Sequence, residues 1–203
     1  MGEEYFIGLK INDSFSKKIQ STRNDLIGKE IMDPKKRYFP HVTLYAQGFD
    51  DEKKLLNSFE ELSFEKFSVS IKGIDVFKHK KSKDILHFKI ETNTELKKIH
   101  NKIVNSLNKL RNDELPNIIL NSDHDLTIKE VRYTKEYGYP NIKNQYHPHI
   151  TIGSFNDQKK LDITLNEFKK INFPKKIIFE EVSLFKKDKK NDIWEEIKSI
   201  KLK

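Results

Sequence analysis

Two pentapeptides, Pro40-His41-Val42-Thr43-Leu44 and Pro148-His149-Ile150-Thr151-Ile152, each place an imidazole two residues before a threonine hydroxyl, between aliphatic neighbours. In a strand, side chains alternate between faces, so His41 and Thr43 share one face and Val42 and Leu44 the other. His149 and Thr151 stand in the same relation to Ile150 and Ile152. An imidazole gives or takes a proton near neutral pH, and a threonine hydroxyl donates a hydrogen bond to a phosphate oxygen. Two such pairs facing each other supply a proton acceptor, a proton donor and two hydroxyls that hold an anion, which suffices to cleave a phosphate ester without metal. Of the seven histidines, the other five (His79, His87, His100, His124 and His147) have no threonine two positions on. The shared proline and aliphatic flanks make chance repetition a poor explanation.

The repetition extends past the motifs. The offset that carries His41 onto His149 also carries Val69 onto Ile177, Ile71 onto Phe179, Ile74 onto Val182, Val76 onto Leu184 and Phe77 onto Phe185. Asp84-Ile85 then falls on Asp192-Ile193, and the helix stripe Leu56/Phe59 matches Leu165/Phe168 one residue out of phase. Repetition on this scale predicts a duplicated supersecondary unit whose copies pack about a pseudo-two-fold axis. The expected fold class is α+β and bilobed, each unit running strand, helix, strand, helix, strand, strand, with antiparallel-rich sheets lining a central cleft and helices outside. Residues 1–203 form one domain on this reading, with halves at about 4–83 and 84–203.

The elements follow from periodicity and caps. A strand is predicted at 4–11, then a helix capped by Asn12, Asp13 or Ser14 with Phe15, Ile19, Leu26 and Ile27 inward, ending near Gly28 before Pro34. Asp50-Asp51-Glu52 open a second helix bearing Leu55, Leu56, Phe59 and Leu62, and strands at 67–78 and 84–91 flank the polar turn Lys80-Lys81-Ser82-Lys83. Thr92 or Thr94 is expected to cap a helix reaching Leu110. A motif strand at 149–155, a helix at 158–171 and strands at 175–186 and 192–201 complete the second copy. The asymmetry is the loop insertion at about 111–148, with a short strand expected at 126–131. Its Arg132, Tyr133, Tyr137, Tyr139 and Tyr146 combine positive charge with flat aromatic faces suited to a nucleotide.

Composition bounds the rest. The absence of cysteine excludes disulfides, zinc-thiolate sites and cysteine nucleophiles. No stretch is long and apolar enough to span a membrane, and the acidic start Met1-Gly2-Glu3-Glu4 does not read as a secretory signal, so a cytoplasmic protein is expected. The net charge of +8 gathers in Lys35-Lys36-Arg37, Lys78 to Lys83 and Lys186 to Lys190, which agrees with a phosphate-bearing substrate without demanding one. No metal triad and no Gly-rich phosphate cradle is apparent, so neither a metal cofactor nor ATP is expected.

Paired His-x-Thr motifs on a duplicated α/β chain resemble the 2H phosphoesterase superfamily, which includes 2′-5′ RNA ligase-like proteins and cyclic phosphodiesterases. The resemblance covers nearly the whole chain. It implies His41 and His149 as general acid and base, with Thr43 and Thr151 holding phosphate, no metal and no cofactor, and an RNA end or small nucleotide as partner of a monomer. Its members act on 2′,3′-cyclic phosphates, 2′-5′ links, oligouridine tails and cyclic oligonucleotides, and four residues do not choose among these. Candidate substrate contacts are Tyr45, which extends the first motif on its face where the second has Gly153, together with Phe39, Tyr146 and Arg132. His147 reads as a surface residue. The alternatives are a catalytically silent RNA- or nucleotide-binding module of the same fold, RNA 2′-5′ ligase activity, or a metal enzyme using His147 and His149.

Overall fold

Both motifs open strands, because a proline can start a strand whose own N–H would otherwise need a partner. In the computed structural model, which describes residues 3–11, 14–33, 39–78, 83–112, 126–191 and 193–203, the order is β1 (Glu3–Lys10), α1 (Ser14–Gly28), β2 (His41–Phe49), α2 (Glu52–Glu60), β3 (Phe67–Phe77), β4 (Asp84–Ile90) and α3 (Thr94–Leu107). Then come α4 (Ile128–Tyr137), β5 (His149–Phe155), α5 (Gln158–Lys169), β6 (Lys176–Phe179), β7 (Glu181–Asp188) and β8 (Ile193–Lys201). The strands form two four-stranded antiparallel sheets, ordered β2-β1-β7-β8 and β5-β4-β3-β6. The α+β class and antiparallel sheets are as the sequence predicts.

The strands interleave rather than dividing at residue 84. β3 leaves β1 and β2 to pair with β4 in the second sheet, and β7 returns to pair with β1 in the first, carrying β8 on its other side. Each motif strand is thereby an edge strand, and β2 and β5 lie against one another. Helices cover the outer faces. His100 of α3 reaches β2, while Phe15 of α1 and Phe168 of α5 both meet Phe88 of β4, with ring centroids 5.0 and 6.1 Å away. Leu9, Val42, Leu44, Leu86, Phe88, Ile150, Ile152 and Leu184 belong to the continuous buried cluster between sheets and helices.

Four local expectations are corrected. Residues 126–131 do not form a strand: Thr127 and Glu130 close a capping box, and Ile128–Tyr137 becomes α4, ending at Gly138 with φ of 74°. Exposed Ile128 and Val131 favour a strand locally, but two reciprocal cap bonds outweigh weak β propensity. The cap of α3 is Asn93, whose side chain accepts from the Leu96 N–H at 2.9 Å, rather than Thr92 or Thr94. The strand expected at 175–186 breaks at Glu180 into β6 and β7, which pair in different sheets. The helix expected at 92–110 ends as a 3-10 turn at Asn108–Leu110. Asn12, Asp13, the run 35–37, most of the turn at 80–83, and His79 and His124 lie outside the described residues.

Candidate active site

The edge position of β2 and β5 leaves one face of each motif strand half-exposed, and His41, Thr43, His149 and Thr151 all stand on it, with Val42, Leu44, Ile150 and Ile152 buried behind. The two strands begin alike. The carbonyl of Pro40 accepts the Ile11 N–H at 3.1 Å and that of Pro148 the Ile90 N–H at 3.3 Å, which fixes the backbone immediately before each histidine.

Both imidazoles are oriented by the same bond. His41 Nδ1 lies 2.8 Å from the Phe39 carbonyl oxygen, and His149 Nδ1 lies 2.9 Å from that of His147. A carbonyl only accepts, so each Nδ1 carries hydrogen and each Nε2 is the site that exchanges a proton. Burial lowers the His41 pKa, offset in part by the Phe39 carbonyl. His149 is pushed down to about 4, first by burial and further by the charges of His87, His41 and His147, against the His147 carbonyl. His41 is therefore close enough for its charge to bear on His149, in keeping with the contact between β2 and β5.

Aromatic rings flank both sides. Phe6 stacks on His41 with centroids 4.7 Å apart, Phe39 tilts against it at 4.8 Å, and Phe185 stacks under Phe6 at 4.4 Å. Trp194 of β8 meets Phe6 edge-on at 4.8 Å. Around His149, Phe77 lies edge-on at 5.0 Å and His87 at 5.3 Å. Phe77 and Phe185, matched by the sequence repeat, thus occupy corresponding places beside the two motifs. A cavity of about 270 Å³ opens at Phe39 and Pro40, just before β2, lined also by Phe185, Trp194, Lys10, Gln20 and Glu196. Lys10 faces His41 across the ladder and is bonded to Glu181 at 3.1 Å and to Glu196; Lys89 faces His149, with Asp75 3.9 Å from its ammonium.

Two expected contacts are not at this cleft. Tyr45 is buried, and its hydroxyl donates to Asn108 Oδ1 at 3.0 Å. The reason is a bulge: Gly8 pairs with Thr43 but Ile7 pairs with Tyr45, so Leu44 is an extra residue and the alternation reverses after it. Ala46 resumes the half-exposed face. The same bulge at Ile152 turns Gly153 inward, so the Tyr45/Gly153 asymmetry is not a property of the cleft. Arg132 is exposed on α4 with its guanidinium 5.4 Å from the Tyr133 ring. That helix is tied through Tyr137, Glu136 and Lys135 carbonyls to Gln47, Asn108 and Arg111, near the end of β2 remote from His41. Tyr146 has a different task from the one expected: its hydroxyl donates to the Thr43 carbonyl at 2.8 Å, joining the segment before β5 to β2. Phe39 stands beside His41 as expected. Tyr45→Phe is accordingly predicted to leave KM unchanged while costing about 1 kcal/mol of stability, measured by steady-state kinetics and denaturant unfolding.

Sequence reasoning missed Phe6, His87 and Trp194. His87 lacks the partner threonine that marks the others, and only strand register brings it opposite Thr151. Phe6 reads as an ordinary core residue. Trp194 is the single tryptophan, which was a usable signal. Among the described residues, no group of three or more His, Asp or Glu side chains is arranged to hold a metal ion. None of the described helices is long and apolar enough to cross a membrane.

Comparison with known proteins bears on the same residues. Solved structures with this fold include Escherichia coli LigT complexed with 3′-AMP, 14% identical with a TM-score of 0.57 and covering 99% of this chain and 98% of that one. The Thermus thermophilus protein TT0787 is also 14% identical, with a TM-score of 0.60 over 98% and 97% of the two chains. At that identity the likeness shows the fold alone. No curated protein matches the sequence significantly. The family model described as the 2′-5′ RNA ligase superfamily, however, matches residues 11–191, a span holding both motifs. A match over that much of the chain assigns it: this protein belongs to the 2′-5′ RNA ligase superfamily, the 2H phosphoesterases.

Proposed function

We propose that the protein is a metal-independent phosphodiesterase that hydrolyses a 2′,3′-cyclic phosphate, or a 2′-5′ or 3′-5′ phosphodiester, in an RNA end or small nucleotide. The observation that carries this reading is the matched anchoring of His41 and His149, each Nδ1 on a carbonyl and each Nε2 free to exchange a proton on one cleft. One imidazole, neutral, takes a proton from water at Nε2 as the water oxygen bonds to phosphorus. The other, protonated, gives its Nε2 proton to the ribose oxygen as the phosphorus–oxygen bond breaks. Thr43 and Thr151 donate hydrogen bonds to the non-bridging oxygens, where charge accumulates. The two imidazoles exchange protonation states in each turnover, and solvent restores them. A bound anionic phosphate favours imidazolium, offsetting the desolvation that lowers both histidines in the free cleft.

The cavity at Phe39 suits a nucleobase, because Phe39 and Trp194 line it beside the buried Phe185. The likeness to LigT, solved with 3′-AMP, supports a nucleotide ligand. Trp194→Ala is predicted to lose about 1–3 kcal/mol of stacking, raising KM about tenfold or more with kcat little changed. The deciding experiment is a substrate panel in the presence of chelator: 2′,3′-cyclic-phosphate RNA, ADP-ribose cyclic phosphate, 2′-5′ oligoadenylate, oligouridine RNA and cyclic dinucleotides. Turnover of at least one is expected. Binding without turnover would instead establish a silent module, and activity abolished by chelator a metal enzyme.

A further inference from the structure

The two motif strands differ in what faces their threonines. The bulges at Leu44 and Ile152 are equivalent, and immediately beyond them Gly8 of β1 faces Thr43 whereas His87 of β4 faces Thr151. A side chain would be crowded at Gly8, where a Cβ would lie 3.0 Å from the Phe6 ring and 3.1 Å from the Val42 carbonyl oxygen. The second sheet carries an imidazole at that place. His87 is 2% exposed, stacks on Phe77 at 3.9 Å and meets the His149 ring edge-on at 5.3 Å. Its Nδ1 faces the Ile85 carbonyl two residues earlier at 3.3 Å, so it repeats, more loosely, the anchoring of both motif histidines.

The surroundings of the two motif rings therefore pull in opposite directions. His41 has an aromatic face stacked on it, Phe6, and the negative face of an aryl ring favours a cation. The lysine opposite it, Lys10, is offset by Glu181 and Glu196. His149 has no stacked aromatic partner of this kind: it meets Phe77 and His87 at steep angles, 86° and 72°, and positive charge on His87 disfavours a proton on it. We propose that His87 is a positioning residue that keeps His149 as the proton acceptor and leaves His41 as the proton donor, so that the reaction runs in one sense across the cleft.

Every charged group facing His87 enters the same balance. Asp75 is its partner across β3, Lys89 follows on β4, His149 and His147 lie on and before β5, and His41 stands on β2. Burial lowers the His87 pKa, opposed by the Ile85 carbonyl and Asp75 and reinforced by Lys89, and positive charge on His87 disfavours a proton on His149. Two imidazoles this close share protons as a pair rather than titrating independently.

The inference rests on the acid–base reading of the two motifs, and its test separates the two. Histidine ring signals of the whole, ligand-free protein are followed by NMR from pH 3 to 9 in wild type, His87→Gln and His87→Phe; this needs no substrate. His149 is expected to titrate below His41 in wild type, and its midpoint to rise by about one pH unit in both variants while that of His41 moves much less. The acidic limb of kcat/KM, measured on whichever panel substrate is turned over, should shift upward by the same amount. A His149 midpoint above that of His41 in wild type overturns the proposal without any variant. So does an unmoved His149 midpoint in either folded variant, even if kcat/KM falls uniformly, since that outcome marks His87 as packing alone. Absence of turnover with the predicted NMR shifts refutes the enzymatic reading and leaves the electrostatic coupling standing.

Discussion

Alanine at either motif histidine lowers kcat by about 10²- to 10⁴-fold while substrate binding changes only a few-fold. The expectation follows from each ring's contribution: Nε2 moves a proton in the transition state, whereas the ring's ground-state contacts with substrate are few. Single-turnover cleavage of the best panel substrate, with chelator present, measures it. A second substrate separates the roles, because a p-nitrophenyl phosphodiester expels a leaving group that departs without protonation. His41→Ala should regain much of its rate on that substrate and His149→Ala should not. If both variants retain more than a tenth of wild-type turnover, paired-imidazole catalysis is wrong.

The second large effect is expected at a histidine outside the chemistry. His100 is 2% exposed in α3; its Nδ1 donates to the carbonyl of the bulged Leu44 at 2.8 Å, and its Nε2 accepts the Lys143 N–H at 2.9 Å. Lys143 sits at φ of 55°, an uncommon conformation held by that bond, and the Tyr146 ring stacks on His100 at 3.9 Å. His100→Ala removes a packed ring and leaves two backbone groups unsatisfied, for about 3–5 kcal/mol. At about 2–4 °C of Tm per kcal/mol in a chain of this size, melting should fall by about 6–20 °C. Because Tyr146 and the bulge also set the motif strands, kcat should fall as well, with KM less affected.

His100 also makes stability depend on pH. Burial pushes its pKa down to about 4, against the Leu44 carbonyl, which raises it. Between about pH 6.5 and 4 the unfolded chain binds a proton there that the folded chain refuses, so stability falls as pH drops through that window and is fully present above it. His149 adds to the same slope. The His100→Ala variant should lose about 1.4 kcal/mol per pH unit of that dependence, read from denaturant midpoints between pH 4 and 7. An unchanged slope would mean that His100 is not buried neutral.

What the sequence made legible was the paired motifs, the family and the order of elements; what it hid was register. His41, Thr43, His149 and Thr151 announce themselves by repetition, and the match of Phe77 to Phe185 reports their equivalent places in the two sheets. Tyr45 was misplaced because alternation was carried through a bulge, and nothing in His-Val-Thr-Leu-Tyr marks Leu44 as the extra residue. The neighbours Phe6 and His87 are invisible to local pattern, since they reach the site across a ladder from distant segments. The helix at Ile128–Tyr137 was legible in Thr127-x-x-Glu130 and Gly138, but exposed β-branched residues drew the reading toward a strand. Arg132 went with that error.

The interleaving of β3 and β7 between the sheets bears on how the protein is made. The sheet that carries His41 holds β1 and β2 from the start of the chain beside β7 and β8 from its end, so β1 cannot gain its second neighbour until residues 181–188 have left the ribosome. Neither half can be harvested as a miniature enzyme, since a fragment ending at residue 83 strands β3 without β4 and a fragment beginning at residue 84 strands β7 without β1. Duplication is written in the sequence, but each copy completes a sheet begun by the other.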